Sequence, residues 1–216
     1  MTSEQARKLL EAAKGHPQEA LFVLALATGM RRGELLGLKW QDVNLDEGTL
    51  QVRRTLSRLP TQMGRDRGDL YVEAEPKTKR SRRNIALAGF TIEALKQHHL
   101  RQEEMKRLVG DMWEEHDYVF CTPLGKHLNP GHAVLVQLKI LLEKAGLPEI
   151  RFHDLRHSAA TLLLSMGVHP KVVQEILGHS EISMTMDTYS HVLPTMQKDA
   201  MVKLNQAFRE EGPSNL

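Results

Sequence analysis

The segment Arg151-Phe152-His153-Asp154-Leu155-Arg156-His157-Ser158 is followed by Leu177-Gly178-His179-Ser180 and then by Tyr189-Ser190-His191. These three pieces put an arginine, two imidazoles and a phenol in one C-terminal stretch. Well upstream, Thr28-Gly29-Met30-Arg31-Arg32-Gly33-Glu34-Leu35 supplies a second arginine. Arginine presents a planar fork of donors that fits two phosphate oxygens and stays charged at any biological pH. Histidine donates to a further oxygen or moves a proton near neutrality. Tyrosine, with an ordinary pKa of ~10, attacks only where its surroundings assist it. Two arginines, two histidines and a late tyrosine suit covalent phosphoryl transfer without a metal.

Each residue has a competing reading. His153-Asp154-Leu155-Arg156-His157 mimics the His-Glu-x-x-His zinc pattern, but Asp154 stands in the glutamate's place and Arg156 would set a fixed charge beside the cation. His157 reads as a structural or supporting histidine. Arg31 follows a helix break at Gly29, which can aim it into a cleft, whereas Arg32 reads as a surface cation. Glu34, three positions on, is placed to orient Arg31 or a nearby histidine. His179 follows Leu177-Gly178, a helix C-terminus whose partial negative charge favours a protonated imidazole. Tyr71 and Tyr118 sit in strand-like contexts and read as structural.

A chain of 216 residues with 41% apolar content can fold as one large domain or two small ones. No apolar run reaches the ~20 residues needed to cross a bilayer, and the N-terminus lacks a secretory layout. The single cysteine, Cys121, excludes an internal disulfide and fits a reducing, cytoplasmic setting. The net charge of +2 decides little, but its distribution is uneven. Arg53, Arg54, Arg58, Arg65, Arg67, Lys77, Lys79, Arg80, Arg82 and Arg83 crowd together, while acids gather elsewhere, as at Glu103, Glu104, Glu114 and Glu115. Such a stripe marks either a polyanion partner or a solvated charged face.

The elements that must carry these groups follow from periodicity. Thr2 or Ser3 caps a helix running to about Lys14, and an apolar helix spans Ala20 to Ala27 before breaking at Gly29. Glu34 begins a further short helix. Asn44–Gly48 has turn chemistry. Thr49–Arg53, Leu70–Glu73 and Asn84–Leu87 read as three strands of a small antiparallel sheet, with a long connection from Leu59 to Asp69. After Gly89 the pattern is helical: about Thr91 to Leu108, Pro130 to Lys144, His153 to Met166 and Pro170 to Leu177. Leu155, Ala159, Leu162, Leu163 and Met166 make one face of the third of these. Short turns around Tyr189, a hinge at Pro194 and a terminal amphipathic helix from about Thr195 to Phe208 complete the chain.

Ala27–Leu35 resembles the first signature box of the tyrosine recombinases, the phage integrase family. His153–Ser158, Leu177–Ser180 and Met186–Tyr189 resemble its second box in order and spacing. The resemblance covers nearly the whole chain and implies a mainly α-helical α+β catalytic domain with a small three-stranded antiparallel sheet. The domain is expected to occupy residues 1–211, with composition marking 212–216 as a flexible tail and the resemblance implying that the family's N-terminal clamping and arm-binding domains are absent. By this likeness Tyr189 is the nucleophile, and Arg31, His153, Arg156 and His179 bind and stabilise the scissile phosphate. Glu34 and His157 support them. Lys77, in Pro76–Arg83, takes the place of the family's hairpin lysine, the general acid toward the departing 5′ oxygen, with Lys79 a competitor. Arg32, Lys79, Arg80, Arg82 and Arg83 would touch the DNA backbone. The family's usual Pro-Leu strand ending is Ala86-Leu87 here. The implied substrate is double-stranded DNA, cut and rejoined through a 3′-phosphotyrosine within a homotetramer, with no cofactor and no metal. Two rivals remain: a type IB topoisomerase-like relaxing enzyme, and a non-catalytic DNA-binding accessory protein. The terminal helix is expected either to dock into a neighbouring protomer or to fold back in cis.

Overall fold

The computed structural model describes residues 1–58, 71–75, 82–179 and 181–209, leaving aside the side chains of 58, 132, 188, 189, 191–196, 199, 207 and 209. Lys77, Lys79, Arg80 and the 212–216 tail lie outside the described residues, as does the side chain of Tyr189.

Helix α1 (Ser3–Ala13) opens with a capping box in which Thr2 Oγ1 accepts from the Gln5 amide. Helix α2 (Glu19–Thr28) is apolar on nearly every side, so it is buried all round, packed against α1, α4 (Gly89–Val109) and α6 (Phe152–Ser165). Its core partners include Leu9, Leu95, Leu155 and Phe152. Gly29 ends it in the left-handed conformation, φ 62°, with its amide returning to Ala25 O. A side chain there would meet Leu177 Cδ2 at 2.3 Å. The tight turn delivers buried Met30 and then Arg31 to the N-cap of the short helix α3 (Arg32–Leu36).

The main sheet is antiparallel and three-stranded, in the order β1 (Val43–Asn44), β2 (Thr49–Val52), β5 (Arg83–Ala86). Asn44 Oδ1 accepts from the amides of Asp46 and Glu47, closing the β1–β2 turn. Its membership differs from the sequence reading. The strand expected near Leu70–Glu73 is β4 (Tyr71–Ala74), and it pairs with β3 (Thr55–Arg58) in a separate two-stranded ladder. The reason lies in α3. A Cβ at Gly33 would lie 2.4 Å from Thr55 Oγ1, and one at Gly37 3.0 Å from the Leu56 amide nitrogen. Those two glycines let β3 lie directly on α3, drawing it and its partner out of the sheet.

Beyond α4, a π-helical stretch Pro130–Val136 continues into α5 (Gln137–Lys144). Helix α7 (Pro170–Leu177) starts with proline at its first position and ends at Gly178, φ 69°. Met166, assigned by periodicity to the buried face of α6, is exposed just before the helix-ending Gly167. The last helix, α8 (Ser183–Arg209), is continuous: it runs through Pro194, where the sequence suggested a hinge between separate pieces. It packs on α6 and α7, and Thr185 near its start is fully buried, whereas Met201, Val202, Leu204 and Phe208 are all exposed. A cis core role for that stripe is therefore not what the fold provides. Among the described residues no helix is long and apolar enough to cross a membrane.

Candidate active site

Arg31 lies where the α2–α3 turn opens onto a cleft of about 730 Å³ whose lining includes Arg31, Arg32, Lys139, Arg151, His153 and Arg156. Glu34 binds back to it: the Arg31 amide and Nη1 both donate to the carboxylate, each at 2.9 Å. Arg31 Nη2 also reaches Gly178 O at 3.3 Å. Between its two possible roles, Glu34 thus takes the first and orients Arg31.

Helix α6 brings the other groups. Asp154 caps its start by accepting from the Arg151 amide at 2.9 Å. His153 and Arg156 border the same cleft but differ in depth. Arg156 is only 4% exposed, while His153 and His157 are exposed, their rings meeting edge-on at 4.9 Å. Arg156 Nη1 donates to Gly29 O at 2.7 Å, and its buried Nη2 has no partner among the described residues. Burial, then the nearby charges of Arg31 and Arg83, push the Arg156 pKa down to about 9 against the opposing pull of Glu34. Burial, then His157 and Arg156, lower His153 as well.

His179 corrects one expectation. The helix C-terminus before it does not hold it protonated. Burial is the largest influence, followed by Arg156, Arg31, His157 and Arg83, and the imidazole is pushed down to about 4. Burial, reinforced by the surplus of cations, outweighs the helix-end dipole, so His179 is neutral at pH 7. Its Nδ1 lies 2.9 Å from Oγ1 of Thr185, which is fully buried on the first turns of α8. The backbone position of Tyr189 falls one helical turn beyond Thr185 on that helix.

Arg83 corrects another. Grouped by sequence with cations facing DNA, its side chain is only 6% exposed and salt-bridged to Glu34 at 2.9 Å. Strand alternation carries the signal for this, since Arg83 shares a face with buried Ile85. Burial by itself would raise the Glu34 pKa. The hydrogen bond and charge of Arg83, then Arg31, outweigh it and hold the carboxyl below its ordinary value. The neighbouring cations are not bare either. Arg53 and Arg54 pair with Asp42, Arg54 also approaches Glu73, and Arg82 pairs with Glu75. Tyr118 is buried with its hydroxyl donating to Glu73 at 2.6 Å, and Tyr71 stacks edge-on against His127, both structural placements.

Among the described residues, the cluster Arg31, Arg83 and Arg156 sets three guanidinium groups against one carboxylate, Glu34. Such a site favours an anion, and its donor forks suit phosphate oxygens. Thr185, and the carbonyls of Gly29 and Gly178 that aim Arg156 and Arg31, carry no residue-type signal.

Residues 1–196 match the phage integrase family. A tyrosine recombinase XerC-like protein of Caldanaerobacter subterraneus subsp. tengcongensis is 40% identical over 212 residues, 96% of this chain and 54% of that protein. The fold is similar to the crystal structure of XerA recombinase, with TM-score 0.69 and 26% identity, over 93% of this chain and 62% of that one. The integrase of transposon Tn1549, in complex with transposon right end DNA, has a similar fold at TM-score 0.74 and 24% identity, over 95% of this chain and 65% of that one. The chain spans about half the length of the curated relatives it matches.

Proposed function

The chain belongs to the phage integrase family, and from that premise we propose that it is the catalytic domain of a site-specific DNA recombinase that cuts and rejoins double-stranded DNA. The observation that carries this reading is the cationic cleft, above all buried Arg156 with an Nη2 that meets no protein acceptor among the described residues. A phosphate diester is the anion that fits, because it stays singly charged across the whole physiological range.

In this reading the scissile phosphate lies between Arg31 and Arg156, with His153 donating from the outer side of α6. Tyr189 O attacks phosphorus, the P–O5′ bond breaks, and a 3′-phosphotyrosine forms. The tyrosine proton passes to a neutral base, for which His179 qualifies because burial, and then the surrounding cations, keep it unprotonated. Thr185 can fix its Nδ1 tautomer. Lys77 donates the proton that the leaving 5′ oxygen needs. The two guanidinium groups stabilise the extra charge of the pentacoordinate state. Religation is the same path reversed, with a 5′ hydroxyl as nucleophile, so bond energy is kept. Recombination then requires a homotetramer that holds two duplexes.

The test is a nicked duplex cut from the DNA flanking the reading frame, incubated with the 216-residue chain in EDTA and resolved on a denaturing gel. A covalent protein–DNA adduct is expected for the wild type and none for Tyr189→Phe, whose DNA affinity stays within about threefold because only a hydroxyl is lost. An adduct that persists in the phenylalanine variant, or one that needs an added divalent metal, would overturn the mechanism.

A further inference from the structure

We propose that Arg83 is a positioning residue that sets Arg31 for phosphate binding, a role that deepens the recombinase reading and rests on it. The guanidinium of Arg83 connects three separated parts of the chain. Nη2 and Nη1 reach the two oxygens of Glu34 at 2.9 and 3.3 Å, while Nε donates to Ile176 O at 2.6 Å. It also fills the space beside Gly178. A Cβ there would meet the guanidinium at 2.9–3.1 Å, and Gly178 already sits at φ +69°.

The consequence runs through shared acceptors. Glu34 Oε1 receives Arg31 Nη1 as well as Arg83 Nη1, and Oε2 receives the Arg31 amide as well as Arg83 Nη2. Arg31 Nη2 is held in turn by Gly178 O, in the turn that Arg83 ties down through Ile176. Arg83 therefore fixes both acceptors that aim the Arg31 head. Without it, the Glu34 carboxylate is free to rotate onto Arg31 and take a second donor from it, drawing the fork away from the cleft. Side-chain exposures of 6% for Arg83 and 3% for Glu34 mean that water is a poor substitute for the missing partner. Lysine cannot replace it, because one ammonium cannot span Glu34 and Ile176 O with fork geometry.

Two measurements on the 216-residue chain test this. The first needs no reaction: the Arg31 Nε–Hε resonance, assigned through Arg31→Lys, is followed by ¹⁵N relaxation in the free protein. It is expected to be ordered in the wild type and mobile in Arg83→Lys while the backbone spectrum is retained. An Arg31 side chain equally ordered in both overturns the proposal, whether or not the chain cleaves DNA. The second compares cleavage of an ordinary nicked duplex with one carrying an uncharged methylphosphonate at the scissile position. Arg83→Lys is expected to slow the ordinary substrate on the order of 10–100-fold, the range for a misaimed transition-state donor. With the neutral substrate there is less charge for Arg31 to meet, so the defect shrinks at least about threefold. A defect of equal size on both substrates marks Arg83 as merely structural. Absence of any adduct in the wild type refutes the recombinase reading instead, and the relaxation result still judges Arg83.

Discussion

Replacing Glu34 by glutamine removes the one carboxylate from a cluster of three guanidinium groups. Four bonds converge on it: the Arg31 amide, Arg31 Nη1, and Nη2 and Nη1 of Arg83, at 2.9 to 3.3 Å. Glutamine keeps one acceptor oxygen and turns the other into a donor that faces guanidinium N–H groups. Breaking a buried ion pair from one side costs about 3–5 kcal/mol, because the remaining charge stays desolvated. The Arg83 half dominates, since Arg31 is 39% exposed and its share is screened by water. About 3 kcal/mol is therefore expected, a large part of the ~5–15 kcal/mol typical of a domain. For a chain of this length that corresponds to a melting point lower by roughly 6–12 °C. The assay is thermal and urea unfolding of wild type and Glu34→Gln near pH 7.5, in sodium sulfate and in sodium chloride of equal ionic strength. Sulfate stabilises proteins generally, so the readout is its excess effect on the variant. An anion in the cation cluster should restore on the order of 1 kcal/mol more to the variant than to the wild type. A melting point lowered by less than about 1 °C, or no excess sulfate effect, would refute the reasoning about surplus charge.

Three further outcomes are expected. Arg31→Lys and Arg156→Lys should each lower single-turnover cleavage about 10²–10³-fold, since a point charge cannot reproduce the fork; near-normal cleavage by both would make these arginines structural. His179, pushed down to about 4, contributes stability that is complete above its ordinary value of ~6.5 and is lost as pH falls toward 4, because the unfolded chain takes up the proton first. Urea midpoints should fall across that window and His179→Gln should flatten the fall, whereas an identical slope in the variant would contradict its neutral burial; Glu34, held low, adds its loss only below about 4.5. Truncation after Pro194 should leave the melting point within about 3 °C and preserve adduct formation while abolishing assembly on DNA, since the deleted stripe Met201, Val202, Leu204 and Phe208 is exposed; an unfolded product would return that helix to the core.

The helical elements were readable because their apolar periodicity and their stops agree. Glycine at 29 and 178 and proline at 170 end or begin helices where the pattern does. The strands were less so. Four-residue strands carry little periodicity, and nothing local says that Thr55–Arg58 leaves the sheet to lie on Gly33 and Gly37. At the site, residue type and spacing pointed to Arg31, Glu34, His153 and Arg156, which the fold gathers at one cleft and its supporting cluster. Spacing could not report burial. Arg83 and Arg82 are adjacent and chemically alike, yet one is buried against Glu34 and the other exposed beside Glu75. The protonation of His179 depends first on its burial and then on charges from Arg31, α6 and β5, which meet only in three dimensions.

The most direct measurement is the identity of the atom joined to DNA. The adduct formed on the nicked duplex in EDTA is digested with protease and nuclease, and the nucleotide-bearing peptide is sequenced by tandem mass spectrometry. A 3′-linked nucleotide on Tyr189, with a 5′ hydroxyl on the released strand, is the result expected of this mechanism. Linkage to Tyr71, Tyr118 or a serine, or attachment through a 5′ phosphate, would contradict it.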